Sequence, residues 1–116
     1  MTRLALEVSD ELAERIRPLG AWLSAVLELS LVGFRTLAAA TAAEVIEFLA
    51  HNPSPHDVLS YRASEQGQNR LRRLLTLNTA GLLGESEQRE LDELQQIEHI
   101  VVMLKAQAAE RLQAVS

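Results

Sequence analysis

The stretch from Ala21 to Val32 constrains this chain most, because only Ser24, Glu28 and Ser30 within it are polar. The remaining positions include Trp22, Leu23, Val26, Leu27, Leu29, Leu31 and Val32, a composition that favours helix. A helix that is apolar on nearly all sides cannot sit on the surface of a monomer, so something must cover both of its faces. A bilayer is the first candidate cover. The widest span on offer runs from Pro18 to Ala43 and holds only two charges, Glu28 and Arg35. Glu28 would lie near its middle, where a charge costs about 2.5–3.5 kcal/mol. Thr36, Thr41 and the alanine runs weaken the transfer further, and a buried soluble helix is the expectation.

Length and composition narrow the classes. A chain of 116 residues allows one domain, or a small head with an extension, which excludes a multidomain enzyme. Leu and Ala together supply 37 residues, the bias of a mainly helical protein. Cysteine is absent, which removes disulfides, thiolate metal sites and a cysteine nucleophile. Sixteen acidic residues against eleven Lys and Arg give a net charge of −5, which argues against a large nucleic-acid footprint. The opening Met1-Thr2-Arg3-Leu4, followed by Glu7, Asp10 and Glu11, carries no apolar signal segment, and a cytoplasmic location is expected.

Along the chain, residues 3–8 read as a strand. Leu4, Leu6 and Val8 alternate with Arg3, Ala5 and Glu7, the period of a strand buried on one side. Ser9 offers an N-cap oxygen to a first helix with Asp10 and Glu11 in its opening turn, and Pro18 and Gly20 end it. The second helix is expected from about Ala21 to Val32, stopped by Gly33. Thr36 caps a third that runs to Ala50, where His51-Asn52-Pro53-Ser54-Pro55 breaks it. Ser54 and Pro55 start a short helix to about Tyr61, and Ser64 starts another to about Asn78, closed by Gly81. A long last helix begins after Gly84 with Glu85, Glu87 and Glu90 and reaches about Leu112. Its apolar face holds Leu91, Leu94, Ile97, Ile100, Val101, Leu104 and Ala108, and residues 100–104 are apolar all round.

Catalytic chemistry finds no foothold, and no enzyme activity is expected. His51 and His56 flank two prolines, and no further ligands stand at metal-site spacing. His99 reads as a solvated or interfacial residue of the last helix. Serines 9, 54 and 64 are accounted for as helix caps, and no glycine-rich phosphate loop is present. No cofactor is expected. Arg70, Arg72 and Arg73 form a basic patch in which Arg70 and Arg73 share one face. Pairing with the Glu-rich last helix is its simpler use, and phosphate contact is the other. No aromatic residue interleaves these arginines for base stacking.

The run Arg3-Leu4-Ala5-Leu6-Glu7-Val8-Ser9-Asp10-Glu11-Leu12, followed by the apolar second helix, resembles the start of ribbon-helix-helix proteins. In that family two chains pair their strands into one ribbon and bury the second helix between them. The resemblance implies a mainly α fold: one short N-terminal strand in a ribbon-helix-helix-like dimer, then a helical C-terminal region with a long last helix. Residues 1–35 would be the dimerisation segment and residues 36–116 the helical partner-binding region. Leu4, Leu6 and Val8 of the strand, with Trp22, Leu23, Val26, Leu27 and Leu29 of the second helix, would make the dimer interface. The family's DNA-reading positions would be Arg3, Ala5 and Glu7, of which only Arg3 suits phosphates.

Asn52-Pro53-Ser54-Pro55-His56-Asp57-Val58-Leu59, with Leu91-Asp92-Glu93-Leu94, Glu98-His99 and Leu104-Lys105-Ala106, is similar to small cyanobacterial-type proteins of antitoxin-like character. The expected function is therefore an antitoxin-like protein that dimerises and neutralises or regulates a second protein, of nuclease type, encoded nearby. Leu94, Ile97, Ile100, Val101 and Leu104 would bind that partner. A structural or adaptor helical oligomer is the alternative. A transcriptional repressor contacting DNA through Arg3, Arg70 and Arg73 is a weaker one.

Overall fold

A computed structural model describes residues 2, 3 and 5–115. Its elements are α1 (Asp10–Ile16), a 3-10 helix (Arg17–Trp22), α2 (Leu23–Leu31), α3 (Ala38–Ala50), α4 (Pro55–Leu59), α5 (Glu65–Thr79) and α6 (Glu85–Val115). The expected N-terminal strand is absent: no strand or sheet occurs among the described residues, and residues 5–9 reach Ser9 without regular structure. This corrects the ribbon-helix-helix-like fold to an all-helical one. The physical reason is that alternation in residues 3–8 marks a chain able to join a sheet, but nothing else here offers its backbone a partner. Leu6, 75% exposed, and Val8 bury nothing in place of it, and Leu4 lies outside the described residues.

Local signals place the helices. The Ser9 hydroxyl accepts from the Leu12 N–H at 3.2 Å, and the Ser64 hydroxyl does the same for Gly67. Ser54 and Asp57 close a reciprocal capping box around Pro55, the first residue of α4. After α2 the chain turns at Gly33 with φ +67°, and after α5 at Gly81 with φ +71°, a left-handed conformation that side chains resist. The second helix starts at Leu23 rather than Ala21, because the 3-10 segment before it breaks at Gly20 (φ 51°, ψ −125°).

α6 is the axis of the molecule. Its 31 residues extend about 46 Å, close to the 48 Å longest dimension. Leu91, Leu94, Ile97, Ile100, Leu104 and Ala108 recur every three or four residues along one stripe, and all are buried. Against that stripe pack α2, α3, α4 and α5, which add Leu29, Val45, Leu49, Val58 and Leu74. Burying each such side chain contributes about 1.5–3 kcal/mol relative to leaving it in water. Trp22 fastens the N-terminal part to the far end of α6. Its Nε1 donates to the Pro53 carbonyl at 3.0 Å, and the Arg111 guanidinium lies 5.4 Å from its ring centre. No helix among the described residues is long and apolar enough to cross a membrane.

Candidate protein-binding surface

α2 and α6 run beside each other and leave a trough along one flank of α6. Glu28, Leu31 and Val32 face Asp92, Gln95, Gln96, His99 and Ile100 across an open hollow of about 770 Å³. Glu28, His99 and Ile100 also line a second hollow of about 370 Å³, which continues past Met103 and Gln107 to Glu110. The spacing explains the alignment. Ser24, Glu28 and Leu31 lie three or four residues apart on α2, as do Gln96, His99, Met103 and Gln107 on α6.

The trough is aliphatic where it is most open. Among its lining residues Leu31 is 83% exposed and Met103 58%, with Val32 also exposed. Its charged lining residues, Glu28, Asp92 and Glu110, are all acidic, and neither Lys nor Arg lines either hollow. Such a surface can take an apolar ridge and favours cations at its edge. Among the described residues no group of three His, Cys, Asp or Glu could hold a metal ion.

The residues expected at a dimer interface are dispersed by the fold. Trp22 and Leu29 are buried within their own chain, Leu23 and Val26 are half-buried, and Leu27 is exposed. Leu6 and Val8 stand exposed on the N-terminal arm. Of the residues expected to bind a partner, Leu94, Ile97, Ile100 and Leu104 belong to the chain's own core, and Val101 packs against it. The face that α6 leaves open is turned away from that stripe and carries His99, Val102 and Met103. Sequence did signal it, in the all-apolar block at residues 100–104, but which members face outward depends on where α2 crosses.

Arginines of the basic patch are used unequally. Arg70 forms a two-pronged ion pair with Glu90, Nε to Oε2 at 2.7 Å and Nη2 to Oε1 at 2.8 Å. Hydrogen bonding to Glu90 raises the guanidinium further above its ordinary value. Arg70 is thereby committed to α6, whereas Arg73 and Arg3 are exposed.

A contact that sequence reasoning missed ties the α2–α3 connection to α6. The Glu93 carboxylate accepts from the backbone N–H groups of Arg35 and Thr36, and from the Thr36 hydroxyl at 2.7 Å. That hydroxyl in turn accepts from the Ala38 N–H at the start of α3. Burial pushes the Glu93 carboxyl up, but these hydrogen bonds and nearby Arg89 outweigh it and hold the group below its usual value.

One quantity spans the whole surface. The chain exposes 8527 Å², whereas a compact monomer of this length exposes about 6,300 Å². Its radius of gyration is 16.1 Å against about 13.4 Å for a compact domain. In comparisons with known proteins, the chain matches no protein family, no curated protein and no solved structure.

Proposed function

We propose that this chain is a protein-binding helical module whose first partner is a second copy of itself, docked through the α2–α6 trough. The observation that carries the reading is the surplus of surface, about 2,200 Å² beyond that of a compact monomer. A standard interface buries about 800 Å² on each side, which this surplus accommodates. The exposed aliphatics that line it supply the apolar centre of such a contact: Leu31 at the end of α2, Val32 just after it and Met103 of α6. A two-fold arrangement that sets Leu31 against its copy near the axis leaves Asp92 and Glu110 toward the two ends of the contact, where water screens their repulsion, and Glu28 as the one acid shared by both hollows.

Sedimentation at micromolar concentration tests this. The full chain is expected at twice its monomer mass, and Leu31→Asp at monomer mass with unchanged helicity. Leu82→Asp, at a site also well exposed but outside the trough, should remain dimeric. A monomeric wild type, or a Leu31→Asp variant that stays dimeric, overturns the reading.

A second protein partner is favoured by a separate observation, the wholly acidic charged lining along α6. It suits a basic surface, and neutralisation of a nuclease-type protein is the narrow form of that reading. Co-expression with the product of the adjacent gene tests it: relief of toxicity together with co-purification supports it, and the loss of either sinks it. An adaptor role without neutralisation predicts co-purification alone.

A further inference from the structure

The opposite flank of α6 bears a second feature that protein binding does not use. A cleft of about 630 Å³ opens there between α3, the α4–α5 connection, α5 and α6. That size lies within the range of about 300–1,000 Å³ typical of small-molecule sites. Its aliphatic wall is made by Val45 from α3, Leu59 at the end of α4, Leu71 from α5, and Ile97 and Val101 from α6, and polar Thr41, Ser60 and Gln68 also line it.

Two further observations separate this cleft from an ordinary packing gap. The first is Gly67, inside the opening turn of α5 and on the cleft wall. Its backbone needs no glycine. The nearest atoms a Cβ there would meet are Ser64 Oγ at 3.4 Å, the Ala63 side chain at 3.7 Å and Thr41 Oγ1 at 3.8 Å, all ordinary contacts. Glycine weakens a helix turn, and here it leaves room for a methyl-sized group among Ser64, Ala63 and Thr41 at the cleft wall. The second is charge. Arg62 and Lys105 line the cleft with a single acid, Glu98, in a chain whose net charge is −5. Neither cation forms an ion pair among the described residues. Tyr61 also lines it, and burial together with nearby Glu44 pushes its hydroxyl up, so it remains a proton donor.

We infer that this cleft binds a small amphiphilic carboxylate with the chemistry of a medium-chain fatty acid. The alkyl tail lies along Leu59, Leu71 and Val101, over the nearly buried Val45 and Ile97, and the carboxylate meets Arg62 and Lys105 at the mouth. The aliphatic wall supplies affinity and the two uncommitted cations choose an anionic head over a neutral one.

Calorimetric titration of the full chain with sodium decanoate, decanol and sodium butyrate tests the assignment. Decanoate is expected to saturate at one molecule per chain, decanol to bind about tenfold more weakly, and butyrate to give no measurable heat. Lys105→Met should weaken decanoate severalfold and leave decanol unchanged. Gly67→Leu, which fills the cleft from within α5, should abolish both. Leu31→Asp, on the other flank, should bind decanoate like the wild type, so failure of the self-association reading would leave this one standing. Absence of saturation, equal affinity for decanol, an unaffected Lys105→Met, or loss of binding in Leu31→Asp overturns the assignment.

Discussion

Residues 5–37 contribute Trp22 and Leu29 to the core, whereas residues 38–115 contribute the other twelve of its fourteen buried apolar side chains. Exposure runs the other way. Seven of the twelve exposed large hydrophobics, from Leu6 to Leu37, lie in the shorter first region. Both regions are rich in leucine, so composition does not separate them. Partners do: α3, α4 and α5 each lay a face on α6, while α1 buries no residue and packs mainly on the 3-10 segment after it.

The largest expected effect probes that division directly. Leu49→Ala empties a fully buried site in α3 and should cost about 2–5 kcal/mol in denaturant unfolding. Leu12→Ala deletes the same atoms from a half-open face of α1 and should change the stability of the monomer by less than about 0.5 kcal/mol. A Leu12→Ala cost approaching that of Leu49→Ala would erase the distinction between the regions.

The division was only partly legible in the sequence, for reasons of range. Helix caps are local, so Ser9, Ser54 and Ser64 announced the starts of α1, α4 and α5, and Gly33 and Gly81 announced two stops. The stripe from Leu91 to Ala108 is equally local, being a matter of spacing along one helix. The strand at residues 3–8 failed because alternation records what a segment could pair with, and pairing requires a second segment. Contacts that join the regions are distant in the chain. Trp22 reaches Pro53 across 31 positions and Thr36 reaches Glu93 across 57, and no spacing rule connects them. The trough shares that difficulty: Val101 and Met103 look alike in sequence, but Val101 lies on the flank that α3 and α5 cover and Met103 on the open flank beside α2.

A polar contact within the second region sharpens the comparison at intermediate size. Glu90 is only 4% exposed and its charge is met by Arg70. Arg70→Ala strands that carboxylate and should destabilise the chain by about 2 kcal/mol, less than for a fully buried pair because Arg70 itself meets solvent. Joint replacement, Arg70→Met with Glu90→Leu, should recover most of the loss, since an apolar pair leaves no charge uncompensated. If the double variant were as unstable as Arg70→Ala, Arg70 would be holding α5 to α6 by something other than neutralising Glu90.

The smallest effect belongs to the strap between the regions. Glu93 on α6 holds the backbone of Arg35 and Thr36, where the first region passes into the second. Its carboxyl is held below its ordinary value of 4.5 when folded, so the unfolded chain binds that proton more readily. Stability from this contact is therefore fully present above the unfolded value and is lost as pH falls through the folded one. Glu93→Gln cannot ionise, so thermal melts carried down through the carboxylate range should show wild type losing its advantage over the variant as acid is added. The difference should be small, because one strap at the edge of the core carries it. A constant gap between the two proteins across that range would mean that the charge on Glu93 does not help fasten the first region to the second.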